Sequence, residues 1–377
     1  MTDFAYVNLT MSYTGTDPNG SMLANTNVQY NTPIIDRPSD FYMCVSRFII
    51  DGFNVPLIIP LLATGAGQTD VNKLAYKFMI AYTDETGITT YSNPINVQYV
   101  PNDSRAIVPI APSGGILSQD LSSNYYYIYT YGDFLTMWNT ALSTALTNLG
   151  TKITLPIGIT PPKFYFDPST GINLIADQQF YNKSLGTTLN NDSFSVFFNG
   201  EISTLVNGLP SAYIKNPTGV NNVFLMYDQV NNIYELPLAG GTIYWLLTMQ
   251  NVQETSFWTT STSYQILTNI PIVKEYVQGV LGTNQQQSQV SSILTDFSPD
   301  TSNNVAYHTK LVYNKNDSLR MIQLSSDTPL YTVSASVYFT DNYGRQFPLY
   351  IGPNCLVTLK FEFVRKSVYA NMNNAVR

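Results

Sequence analysis

Charge is what this sequence has least of. Of 377 residues only 11% are Asp, Glu, Lys or Arg, against about a quarter in an ordinary soluble domain. Eighteen basic residues against 25 acidic ones leave a net charge of −7, and that acidic balance argues against a dedicated nucleic-acid surface, which is built on clustered Lys and Arg, while leaving room for a local basic patch. Histidine is nearly absent. His308, in Val305-Ala306-Tyr307-His308-Thr309-Lys310, stands alone, which excludes multi-histidine metal sites and HExxH and leaves any Ser-His-Asp or Cys-His machine a single candidate; the expected role is an edge-strand residue, exposed or packed. Two cysteines, Cys44 and Cys355, are too few for a disulfide framework or a zinc site and read as buried thiols. No GxGxxG or GxxxxGK[ST] loop is present to cradle a nucleotide phosphate. The longest apolar run, Val55 to Ala63, is nine residues with two prolines, short of the roughly 20 that span a bilayer, so no membrane span is expected. The start, MTDFAYVNLTMSYTGTDPNGS, lacks a basic n-region and an apolar h-region, so no secretory signal is expected and synthesis in a reducing compartment follows.

What is there is apolar and aromatic. Hydrophobic residues make up 44%, with 28 Tyr and 19 Phe, ample for a core, and the length allows one large or two to three ordinary domains. Asn, Ser, Thr and Gln fill the place of charge. A surface of neutral amides and hydroxyls buries at contacts without desolvating ions, which points to an assembly subunit over a freely diffusing enzyme. Six Asn-x-Ser/Thr sequons, such as Asn8-Leu9-Thr10 and Asn191-Asp192-Ser193, are what chance supplies in such a chain.

Along the chain, residues 1 to about 27 are polar and read as an extended arm. Phe41 to Ile50 is β-branched and aromatic, a buried strand. Leu74 to Tyr82, a turn at Asp84-Glu85-Thr86-Gly87, and Ile88 to Val100 give a hairpin. A helix is expected from Asp133 as N-cap to Gly150 as C′ glycine, with Phe134, Trp138, Leu142, Ala145 and Leu149 on one stripe. Phe194 to Leu209 reads as a second, shorter helix, with Phe197, Ile202 and Leu205 on a face. Val223 to Tyr227 and Ile233 to Leu236 read as a hairpin, and Thr242 to Met249 as a strand. The clearest period of two is at Val333, Ala335, Val337 and Phe339, followed by a turn at Asp341 to Gly344 and more alternation from Leu356 to Val364. The expected class is mainly β: a β-sandwich of jelly-roll or Greek-key type carrying an insertion.

Chemistry is sparse. Asp84, Glu85, Asp167 and Asp177 are available to a glycosidase, which needs two carboxylates about 5 to 10 Å apart, but the turn around the first two marks solvated loop charges. No catalytic, cofactor-binding or metal-ligating residue is assigned. The run Tyr125-Tyr126-Tyr127-Ile128-Tyr129-Thr130-Tyr131 has two readings, a strand with Tyr on both faces entering the helix, or an interface or receptor contact through Tyr125, Tyr126, Tyr127, Tyr129 and Tyr131. Arg320, Lys360 and Arg365-Lys366 read as solvated strand ends. The tail from Ser367 to Arg377 is polar and reads as an arm toward a neighbouring subunit.

Three stretches together resemble the penton, or minor capsid, proteins of virophages and polinton-like viruses. They are Asn31-Thr32-Pro33-Ile34 through Phe41 to Phe48 and Val55-Pro56-Leu57-Ile58; Phe257-Trp258 with Ser263 to Glu275; and Ile293-Leu294-Thr295-Asp296-Phe297, Arg320 to Leu330, Phe339-Thr340-Asp341-Asn342-Tyr343-Gly344, Phe347-Pro348-Leu349 and Lys360-Phe361-Glu362-Phe363. The resemblance covers about 150 residues and is similar in role to adenovirus penton base. It implies a single jelly roll interrupted by an inserted domain, β-rich with one or two helices: arm 1–27, first part of the jelly roll 28–110, insertion 111–260, second part 261–366 and tail 367–377. It further implies a homopentamer filling each icosahedral vertex beside double-jelly-roll major capsid proteins, with a host receptor or glycan as a further partner. A jelly roll brings its chain ends together, so a pairing of Cys44 with Cys355 stays open. A structural vertex protein leads. A non-catalytic carbohydrate- or receptor-binding β-sandwich is the alternative, and a glycosidase comes third.

Overall fold

The computed structural model describes residues 3–14, 22–63, 70–101, 124–167, 171–181, 193–206, 208–226, 234–238, 241–249, 263–273, 277–281, 288–298, 310–314, 320–341 and 344–375. Strands from the two ends of the chain build two antiparallel sheets. The first runs, in spatial order, Phe4–Ser12, Leu356–Arg365, Phe41–Asp51 and Lys310–Asn314, with Ile322–Gln323 also paired to Phe41–Asp51. The second runs Val277–Leu281, Ser288–Phe297, Ser263–Leu267, Thr332–Thr340 and Gln346–Pro348, with Asn25–Gln29 also on Thr332–Thr340. Followed along the sequence, the chain passes from the first sheet to the second and back at Phe4–Ser12, Asn25–Gln29 and Phe41–Asp51. It returns to the second sheet at Ser263–Leu267 and Ser288–Phe297, then alternates again through Lys310–Asn314, Thr332–Thr340 and Leu356–Arg365. That path is a single jelly roll.

Periodicity decides which side chains enter the sandwich. Val333, Ala335, Val337 and Phe339 from one sheet and Val357, Leu359, Phe361 and Phe363 from the other are all buried, every second residue turning inward. Phe48 fills the space between the sheets, its ring centroid 5.0 Å from Phe297 and 6.4 Å from Tyr264. The segment expected as an arm is part of this sandwich: Phe4–Ser12 lies in register with Leu356–Arg365 along its whole length, Phe4 opposite Val364 and Ser12 opposite Leu356. Val7, Leu9 and Met11 are buried while Asn8, Thr10 and Ser12 face out. The polar half of that alternation gave the segment its arm-like composition. The tail is likewise structured, a helix over Lys366–Ala375 whose Tyr369 packs on Tyr42 at 5.0 Å over a small cluster containing Cys44, Met321 and Val364. Cys44 is buried and Cys355 half-buried, both as thiols.

Between Phe41–Asp51 and Ser263–Leu267 the chain builds the inserted domain. One sheet there runs Ser211–Tyr213, Asn222–Phe224, Ser193–Phe198, Lys73–Thr83 and Thr89–Tyr91, with Ile95–Gln98 also on Lys73–Thr83; a second runs Tyr234–Leu238, Gly241–Met249, Gly171–Asp177 and Lys163–Asp167. Helix α1, Tyr131–Gly150, packs its apolar stripe on both sheets, Phe134 against Tyr76 (5.7 Å) and Trp138 against Phe78 (5.5 Å) of the first and Phe164 (5.0 Å) of the second. The predicted hairpin from residue 74 to 100 forms, Lys73–Thr83 pairing with Thr89–Tyr91 and Ile95–Gln98, and its other edge pairs with Ser193–Phe198. The helix begins earlier than expected: Thr130 is the N-cap and its hydroxyl accepts from the Asp133 N–H, with Asp133 in the first turn. The second predicted helix is a correction. Ser193–Phe198 is a strand in which Phe194, Val196 and Phe198 alternate, and only Gly200–Ser203 is helical. So is the predicted hairpin after Val223: Tyr234–Leu238 pairs forward with Gly241–Met249, and Asn222–Phe224 pairs back with Ser211–Tyr213.

Candidate functional site

The tyrosine run lies where the inserted domain meets the jelly roll, just before α1. Ile128 forms a bridge with Ile58, its carbonyl accepting from the Leu57 N–H at 2.7 Å and its N–H donating to the Ile58 carbonyl at 3.1 Å. That bridge fixes the direction of each neighbouring ring. Tyr127 enters the jelly roll, with centroids 5.8 Å from Phe339, 6.1 Å from Phe347 and 5.8 Å from Tyr350, and its hydroxyl donates to the Pro348 carbonyl at 2.9 Å. Tyr125 and Tyr126 turn the other way and cluster with Tyr99 at 5.3 and 5.1 Å, while Tyr126 donates to the Val71 carbonyl at 2.7 Å. Tyr131 stacks on Phe166 at 3.9 Å. Tyr125, Tyr126, Tyr127 and Tyr131 are buried, and Tyr129 is half-buried beside Tyr127.

Four of the five rings are packed inside the molecule, and Tyr129 is half-buried. The sequence supplied the aromatic density but not the cover, because Phe339, Phe347 and Pro348 lie some two hundred positions away. Burial also settles the chemistry of the phenols. Removal from water holds the Tyr127 hydroxyl well above the ordinary phenol value, with Tyr129 and Tyr350 adding to the shift, and burial alone does the same at Tyr131. Both phenols are held neutral, and that of Tyr127 serves as the donor to Pro348.

Asp84 caps its own turn, one oxygen accepting from the Thr86 N–H, the Thr86 hydroxyl and the Ile88 N–H at 2.9, 2.6 and 2.9 Å; the Thr86 hydroxyl bond is the main cause that holds its carboxyl below the ordinary aspartate value. Asp167 faces Gly171, and Asp177 ends the strand that Gly171 begins, which separates the two by about 20 Å of extended chain, well beyond the spacing of a glycosidase pair. Among the described residues no group of three His, Cys, Asp or Glu side chains is placed to hold a metal ion, and no helix is long and apolar enough to cross a membrane. His308 lies outside the described residues.

What remains for function is surface. On the outer face of the first sheet, Asn8, Lys360, Arg47 and Asn314 form one row across the strands and Thr10, Thr358, Ile49 and Val312 the next. The Lys360 ammonium sits 4.5 Å above the Tyr6 ring. Tyr6 and Val312, on the two outermost strands, are 53% and 54% exposed. Sequence reasoning missed the strand that carries Tyr6, although the alternation of Val7, Leu9, Met11 and Tyr13 was there to find it.

Comparison with known proteins agrees with this picture. A family model of the Sputnik minor capsid protein V18/19 matches residues 5–365. Two proteins of Sputnik virophage are similar in sequence: the uncharacterized protein V18, 33% identical over 138 residues (36% of this chain, 77% of that protein), and the structural protein V19, 26% identical over 211 residues (54% and 94%). A chain of the cryo-EM structure of the Sputnik virophage superposes with a TM-score of 0.78 at 27% identity, over 98% of this chain and 99% of that one. The crystal structure of the mavirus penton protein shares the fold, with a TM-score of 0.60 at 15% identity over 96% and 99%. The jelly roll is matched almost end to end: the chain belongs to the Sputnik minor capsid protein V18/19 family and is a structural protein of the viral capsid.

Proposed function

We propose that this protein forms the pentameric vertex, or penton, of an icosahedral virion, five copies closing a ring beside double-jelly-roll major capsid proteins. The observation that carries the assignment is the single jelly roll interrupted once, between Phe41–Asp51 and Ser263–Leu267, an architecture shared along nearly the whole chain with the mavirus penton protein. The proposed division places the jelly roll in residues 3–51 and 263–365 and the insertion in 52–262. A sandwich whose two flanks differ offers a heterologous contact, and such a contact closes into a ring when the rotation per copy allows it. Contact with a host receptor or glycan is assigned to the insertion, where Ile157, Tyr213 and Ile88 are 100%, 69% and 64% exposed, and not to the buried tyrosines. Native mass of the purified full chain, with negative-stain images of the same sample, tests the assignment. Pentamers and five-lobed rings are expected; another closed number, such as a trimer, would overturn it.

A further inference from the structure

We propose that the Phe4–Ser12 strand of one copy pairs edge to edge with the Lys310–Asn314 strand of the next, so that the first sheet of the jelly roll continues from subunit to subunit. The inference rests on the cyclic assembly proposed above and names the surfaces that make it. Phe4–Ser12 and Lys310–Asn314 are the two edges of one sheet, and among the described residues neither has a backbone partner on its outer side. An open edge is a row of unpaired N–H and C=O groups, and proteins that stay monomeric guard it with charge, proline, bulges or brevity. Phe4–Ser12 has none of these: nine residues without a charge or a proline, in unbroken register with its inner neighbour. Within the same molecule the Gln346–Pro348 edge of the second sheet is guarded, being three residues long, ending in proline and covered by Tyr127.

Three features select a second copy as the partner. All pairings in the first sheet are antiparallel and it has four strands in line, so its two edges run in opposite directions; rotation about an axis along the strands brings them together still antiparallel. The two edges differ, which gives the heterologous contact that a ring requires. The outer faces of these same strands carry Phe4, Tyr6 and Val312, 38%, 53% and 54% exposed, apolar side chains that the pairing would bring side by side across the junction.

Register supplies a test that a single chain cannot satisfy. Thr10 and Val312 lie in one row, separated by Thr358 and Ile49, which places them about 14 Å apart, beyond the roughly 7 Å that a disulfide bridges. Thr10→Cys, Asn8→Cys and Tyr6→Cys would each be combined with Val312→Cys in the full chain carrying Cys355→Ser, then mildly oxidised, with native mass measured on the same samples. At least one pair is expected to give a reducible ladder at multiples of the chain mass that is lost in each single variant. Assembled rings with no ladder from any of the three pairs would overturn the edge pairing and leave the ring standing. No assembled species from the unsubstituted chain, alone or recovered from virions, would overturn the ring and this contact with it.

Discussion

The jelly roll and the insertion solve the same problem, satisfying buried backbone, by different means. In the jelly roll, long strands do most of it: Leu356–Arg365 pairs on both sides, with Phe4–Ser12 and with Phe41–Asp51, over nearly all its length. In the insertion the strands are shorter and side-chain amides extend the ladders. Asn139, on α1, donates to the Phe164 carbonyl at 2.9 Å and accepts from the Phe164 N–H at 2.7 Å, as a neighbouring strand would. Asn199 accepts from the Lys77 N–H at 2.9 Å and donates to the Ala75 carbonyl at 2.8 Å, and Asn96 donates to the Leu74 carbonyl at 2.7 Å. The neutral polar composition that points to subunit contacts is thus partly spent inside. Asparagine here is a structural residue, able to act as donor and acceptor at once where a helix or turn replaces a strand.

The sharpest way to break the comparison is at the seam. Tyr127→Ala removes an aromatic ring held between the two regions and should cost about 3–5 kcal/mol; calorimetry should then resolve two unfolding transitions where the parent shows one. A single transition shifted downward would mean that the regions are joined elsewhere. Asn139→Ala should cost about 2–3 kcal/mol, because it leaves the N–H and carbonyl of Phe164 without partners, and hydrogen exchange should speed up in α1 and Lys163–Asp167 while the jelly-roll strands stay protected. Thr130→Ala removes the N-cap of α1 and should cost about 1 kcal/mol, read as a shift in the denaturant midpoint at constant slope. The smallest effect concerns pH. Asp84 is fully exposed and its folded-state value is lowered, so the turn is supported above the ordinary aspartate value, and that support is lost as pH falls through the lowered one. An NMR titration of Thr86 and Ile88 amides should follow that acid step, and Asp84→Asn should abolish it.

Much of the jelly roll was legible. Where one face is buried and the other wet, as from Thr332 to Thr340, residue type alternates with environment and the period shows directly. Phe4–Ser12 escaped because Asn8, Thr10 and Ser12 on its wet face, next to a Gly- and Asn-rich stretch, outweighed Val7, Leu9 and Met11. The insertion was less legible for physical reasons. Phe194 to Leu209 fits helical spacing as well as strand spacing, and pairing with Lys73–Thr83 decides it. The helix was visible in Phe134, Trp138, Leu142, Ala145 and Leu149, but its start was misplaced by three residues because Thr130 and Asp133 are both capping types and only geometry separates their roles. The tyrosines stood out correctly as a dense aromatic cluster; their cover comes from a distant segment, which local sequence does not encode. Outer surfaces have no periodic signature, so the contacts that matter for assembly had to come from sheet order and exposure.

Cryo-EM of the virion that carries this protein tests the central claim most directly. The account predicts five copies around each fivefold axis, the jelly roll of residues 3–51 and 263–365 within the shell, the insertion projecting outward, and Phe4–Ser12 of each copy against Lys310–Asn314 of the next. Fivefold positions filled by another chain, with this one elsewhere in the shell, would contradict it.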